Sequence, residues 1–110
     1  MEDFVHLHVH THYSILDGQS KVPHLVDKAI KDGMKGMAIT DHGVMYGIKE
    51  FADYCASVNK KRKGEGLEPF KPIFGCEMYV AHHHKEDRDK AAGDNSGYHL
   101  IVLAKNYRGY

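Results

Sequence analysis

The sequence predicts an α/β fold, a set of parallel strands with helices packed outside them. Two observations carry that reading: strand-type and helix-type apolar periods alternate along the chain, and 42% of its 110 residues are hydrophobic. Alternation in the order β-α-β-α-β, then a long polar stretch and one more β, is the pattern of a parallel sheet with helices on its faces. A chain of this length makes one domain at most and buries roughly 65% of its unfolded surface.

The first strand is expected over residues 4–10, where Phe4-Val5-His6-Leu7-His8-Val9-His10 alternates strictly. That period puts Val5, Leu7 and Val9 on one face and Phe4, His6, His8 and His10 on the other. Residues 11–19 read as a loop with an Asp17-Gly18 turn. Ser20 is the expected N-cap of a helix whose apolar stripe is Val22, Leu25, Val26, Ala29 and Ile30, and Gly33 is its stop. A short apolar strand over 37–40 runs into Thr40-Asp41-His42-Gly43. The second helix carries Ile48, Phe51, Ala52, Cys55 and Val58 on one stripe, and the charged residues 60–68 form a solvated connection. A third strand over 72–80 sets Gly75, Glu77 and Tyr79 against Phe74, Cys76 and Met78. Residues 82–97 have no period and read as an exposed loop. Residues 98–104 form a fourth strand, apolar on both faces apart from His99, as in a strand covered on both sides. An open sheet and a (βα) barrel both fit this order. A complete (βα)8 barrel takes ~250 residues, and no helix follows the fourth strand, so residues 1–110 are expected to be the first portion of a larger domain.

Composition narrows the function classes. No run approaches the ~20 apolar residues of a membrane helix, and the N-terminus lacks a signal peptide's layout, so a cytoplasmic location is expected. Cys55 and Cys76 sit inside apolar patterns and read as buried thiols, too few for a disulfide framework. The formal net charge is zero, which gives no charge argument for nucleic-acid binding. Ten histidines are the outlier, four of them (His6, His8, His10, His12) within seven residues.

His8 and His10, two apart on a strand, aim their imidazoles the same way at its C-terminal end, where parallel α/β folds collect ligands. Asp41-His42 ends the next strand in the same manner. Glu77 is a carboxylate inside an apolar strand, a costly placement that a cation would relieve. His99 interrupts the strand after it. Each histidine alone is more simply a hydrogen-bonded core or surface residue; several metal-type residues on one predicted sheet point together to a metal site. Imidazoles with carboxylates suit zinc, manganese or iron better than calcium. Without cysteine pairs no zinc-finger spacing exists, and an open multi-ligand site points to hydrolytic chemistry, most often on phosphoesters.

These residues also carry a resemblance. His6-Leu7-His8-Val9-His10-Thr11, Tyr13-Ser14 and Leu16-Asp17-Gly18 resemble the first motif of the PHP (polymerase and histidinol phosphatase) superfamily. Ala38-Ile39-Thr40-Asp41-His42-Gly43 resembles its second. Met45-Tyr46-Gly47 with Phe51, the run from Pro72 to Val80, and the run from His99 to Asn106 with Gly109-Tyr110 are similar to the branch that opens the α subunits of bacterial DNA polymerase III. The resemblance implies the first part of a distorted (βα)7 barrel and a metal-dependent phosphoesterase or 3′–5′ exonuclease, or a scaffold, within a DNA-directed DNA polymerase. It implies up to three divalent ions (Zn, Mn or Fe), held by His8, His10, Asp17, His42, Glu77 and His99, with His8, His10 and Glu77 catalytic. Glu77 matches a bridging ligand, Asp41 orients His42 from behind, and His6 stands where many members have Asp, outside the ligand set. Implied partners are DNA and other replicase subunits, the proofreading exonuclease among them. The later family ligands, including a closing Asp-x-His, and all polymerase parts fall beyond Tyr110, so the 110 residues alone are expected to be inactive and to self-associate through open sheet edges.

Other features have plainer readings. Lys60-Lys61-Arg62-Lys63 reads as a solvated helix end rather than a DNA contact. His82-His83-His84 reads as surface loop, Cys76 as core, and Tyr13 and Ser14 either line the mouth of the site or pack a loop. Two other functions remain open: a free-standing phosphatase acting on a small metabolite such as histidinol phosphate, and a non-enzymatic module whose histidines pack or hold structural zinc.

Overall fold

Helix α1 (Val22–Lys31) starts on Lys21 and not on Ser20: the Lys21 backbone is extended, and no side chain caps the helix. Pro23 in the first turn sets the start instead, because it needs no N–H partner there and its fixed φ already suits a helix. The expected stop holds. Gly33, at φ 85°, bonds back to Ile30, and Met34 N–H bonds to the Ala29 carbonyl, closing the last turn through a left-handed residue. Strand β1 (Gly36–His42) follows and is buried along nearly its whole length. Helix α2 (Ile48–Gly64) runs through Lys61, Arg62 and Lys63, so only the last part of the expected 60–68 connection is non-helical. Those cations stand in the helix's last turn, where positive charge is favoured. Strands β2 (Lys71–Val80) and β3 (Tyr98–Leu103) complete the secondary structure of the computed structural model, which describes residues 4–13, 20–81 and 98–110. Asp17, Ser14, the Asp17-Gly18 turn and the expected 82–97 loop lie outside the described residues.

The sheet has the order β1-β2-β3. β1 and β2 are parallel, with His42 opposite Glu77. β2 and β3 are antiparallel, with Tyr79 opposite His99 and Glu77 opposite Ile101. The all-parallel expectation is therefore corrected to a mixed sheet. An antiparallel return needs no crossover helix, and the sequence between β2 and β3 has no helical period to supply one.

The first expected strand is corrected as well. Residues 4–10 are extended beside β1 but form no regular ladder: Ala38 N–H bonds to the His6 carbonyl, and Thr40 N–H bonds to that of Val9. Three residues on one side thus match two on the other, as at a bulge. Thr40 repairs the mismatch with its side chain, which accepts from Val9 N–H at 2.9 Å. The shift leaves Leu7 exposed while Val9 packs against the core.

That core lies between the helices and one face of β1: Val22, Val26 and Ala29 of α1, Met37 and Ile39 of β1, Ile48, Phe51 and Cys55 of α2, and Phe70. Phe74 and Cys76 continue the same sheet face, as do Met78, Val80, Leu100 and Val102. The last four are exposed, so β3 is not covered on both sides in this chain. The opposite face carries His42, Glu77, Tyr79 and His99.

Candidate metal centre

Strand alternation builds the site. His42 and Glu77 share a register position and project from the face away from the helices, and His99 reaches the same face from β3. The bulged segment 4–10 brings two further imidazoles to the edge of β1. His10 Nε2 lies 2.5 Å from Glu77 Oε2 and His8 Nε2 lies 3.5 Å from it, while His99 Nδ1 lies 3.3 Å from Glu77 Oε1. The rings pack as a continuous set. His10 stacks parallel to His42 with centroids 5.7 Å apart, and His42 meets His99 edge-on at 4.6 Å.

Two groups of three side chains offer ligand atoms within 4.8 Å of one another: His8, His10 and Glu77, then His42, Glu77 and His99. Glu77 belongs to both, with one oxygen turned to each side. His6 belongs to neither and packs its ring edge-on against Phe4. Five of the six expected ligands are therefore brought together from four separate stretches of chain, and the sixth, Asp17, lies outside the described residues.

Electrostatics keep the centre anionic at its middle. Burial pushes the Glu77 carboxyl up, but hydrogen bonds from His10 and His8 and the charges of His10 and His42 outweigh it, leaving the group below the ordinary carboxylate range. A carboxylate at 6% exposure ringed by four imidazoles is a donor set that fits a borderline divalent cation.

Asp41 anchors the first segment to β1. Its side chain projects to the helix side of β1, opposite His42, and accepts from Thr11 N–H at 2.6 Å and Thr11 Oγ1 at 2.9 Å. Both residues are fully or almost fully buried. Asp41 thus pins the residue that follows His10. Gly47 leaves room for this pair, since a Cβ there would stand 3.0 Å from Asp41 Oδ2.

Sequence reasoning missed three contributors. Thr11 and Thr40 tie the bulged segment to β1, and nothing in an isolated threonine marks that role. Tyr79 could have been found, because it lies two residues beyond Glu77 on the same face. Its ring packs 5.0 Å from that of His42 and 5.3 Å from that of His99. The thiols are set apart from the centre: burial raises Cys55 to about 12 and also raises Cys76, whose Sγ bonds the Asp41 carbonyl.

The family described as "PHP domain" matches residues 6–110. The chain is similar to "DNA polymerase III subunit alpha" of Treponema pallidum, 46% identical over 107 residues, covering 97% of this chain and 8% of that protein. It is similar to the same subunit of Helicobacter pylori, 39% identical over 107 residues (97% and 8%), and of Aquifex aeolicus, 40% identical over 113 residues (98% and 9%). The chain therefore spans less than a tenth of the length of these relatives. No described helix is long and apolar enough to cross a membrane.

Proposed function

The chain belongs to the PHP domain family, and from that membership we propose that residues 1–110 are the opening portion of the PHP domain of a replicative DNA polymerase III α subunit, carrying most of a metal-dependent phosphoesterase centre. The observation that carries the reading is the Glu77 carboxylate, shared between two groups of imidazoles. His8 and His10 would hold one divalent ion with Glu77, and His42 and His99 a second; Asp17 would add one further ligand from this chain. Zinc, manganese or iron suits these donors. When bound, such ions supply Lewis-acid charge for phosphate oxygens and lower the pKa of water toward ~7.

The chain's own residues do the positioning. Glu77 fixes the separation of the two groups, and Asp41, through Thr11, fixes the backbone next to His10. The first two ligand groups sit on a sheet face that the helices leave open, which admits an extended phosphodiester. Completion of the barrel would supply the remaining ligands, so catalysis belongs to the whole domain and the 110 residues alone are inactive. Within the whole subunit the domain would act on DNA 3′ ends or serve as a scaffold for the polymerase core and the proofreading subunit, in the cytoplasm. Similarity at 39–46% identity to polymerase subunits favours this over a free-standing phosphatase.

Metal analysis tests the proposal. The chain loaded with Mn2+ or Zn2+ and passed over a desalting column should retain metal, and His8→Ala and Glu77→Ala should each lose it, Glu77→Ala the more completely. Equal occupancy in all three proteins would falsify the assignment.

A further inference from the structure

Among the described residues, a large aromatic side chain in contact with the centre stands outside the hydrophobic core. Tyr79 keeps 54% of its surface exposed, although its ring already rests against His42 and His99. The resting place is built for it. Gly43, at φ 71°, lies at the edge of the ring, where a Cβ would stand 2.8 Å from Tyr79 Cε2. The peptide after Gly43's neighbour is tied down as well, since Gly43 N–H bonds to the Glu77 carbonyl at 2.9 Å. A side chain at residue 43 would collide with the edge of the ring as it lies. Tyr79 is held in a fixed orientation beside the proposed ligands, with its remaining surface open.

We propose that Tyr79 is a stacking platform for the nucleobase adjoining the phosphodiester at the Glu77 centre, so that the site takes the end of a single-stranded nucleic acid in preference to a small phosphoester without a ring. The inference rests on the phosphoesterase reading and names the residue that selects for a base beside the scissile phosphate. An exposed aromatic face binds any base, because every base has a π-face, and such contacts are worth a measurable share of single-strand affinity. The phenol oxygen is not needed for this, and Phe should serve as well as Tyr. Gly43 acts through Tyr79, as the residue that lets the ring lie where it does.

The test uses the 110-residue chain loaded with Mn2+, which is inactive by itself, and a fluorescently labelled single-stranded oligodeoxynucleotide, read by anisotropy. A second oligonucleotide carries an abasic 3′ terminus. Tyr79→Leu should weaken binding of the intact oligonucleotide about tenfold, leave the abasic one unchanged, and leave metal retention unchanged. Tyr79→Phe should behave as the unaltered chain, and Gly43→Ala should reproduce the Tyr79→Leu pattern. The proposal is overturned if Tyr79→Leu weakens both oligonucleotides equally or neither, if the unaltered chain does not distinguish the two, or if Tyr79→Leu loses metal, which would make the ring a mere support for the imidazoles. Failure of the metal reading would show separately, as an unaltered chain that retains no ion.

Discussion

At Thr11 a single side chain joins the two halves of the site. It is completely buried, and both its amide and its hydroxyl donate to Asp41, itself 2% exposed. A carboxylate in that position depends on its donors, since removing one leaves part of a buried charge without compensation. Thr11→Val keeps the shape and the amide bond but deletes the hydroxyl. It should cost about 2 kcal/mol of stability, the range for a hydrogen bond to a charged group, measured by urea denaturation. It should also weaken metal retention, because the backbone beside His10 is no longer fixed. An unchanged midpoint would show that Asp41 does not depend on Thr11. Glu77 teaches the complementary lesson. Its position inside an apolar run marked it as a special carboxylate from the sequence, whereas Thr11 carried no such mark. The difference is that an ionised group in a strand needs an explanation and a threonine does not.

The elements are fastened to one another by a few directed contacts. Helix α2 is joined to β2 through Asn59, whose amide nitrogen donates to the Phe70 carbonyl at 2.8 Å while its oxygen accepts from Phe70 N–H at 2.6 Å. The side chain thereby pairs with a backbone as another strand would, just ahead of β2, and Phe70 is buried at 1% exposure. Asn59→Ala should destabilise the chain by about 2 kcal/mol, since both Phe70 backbone groups lose their partner near the core; a thermal melt within a degree of the unaltered chain would refute this. Helix α1 meets α2 through Tyr54, whose hydroxyl donates to Asp27 at 2.6 Å and whose own ionisation that carboxylate pushes up to about 12. The extent of α2 was harder to read than its core stripe. Its last turns are almost wholly charged, and a solvated helical turn and a solvated connection have the same composition.

As a whole the molecule is an open structure. Its radius of gyration is 16.3 Å, against about 13 Å for a compact domain of this length. The helices cover one face of β1 and the near part of β2, and the far part of that face is bare. Met78, Val80, Leu100 and Val102 all expose between 41% and 53% of their surface there. Among the described residues β3 pairs only with β2, and its sequence Tyr-His-Leu-Ile-Val-Leu has none of the lysines, prolines or bulges that blunt an edge strand. The 110-residue chain should therefore associate with itself in a concentration-dependent way, read by light scattering, and Val102→Lys should shift it toward monomer. A stable monomer at high concentration would count against this.

The sequence by itself determined the order of the elements after residue 20, both apolar helix stripes, and the residue types of the centre. These follow from local periodicity and from the chemistry of imidazole and carboxylate, which do not depend on distant partners. Only the tertiary structure decided that β3 runs antiparallel, that residues 4–10 bulge instead of pairing regularly, and that Asp41 accepts from Thr11. Strand direction, register and the partner of a buried charge are settled between segments tens of residues apart, where no local pattern records the choice.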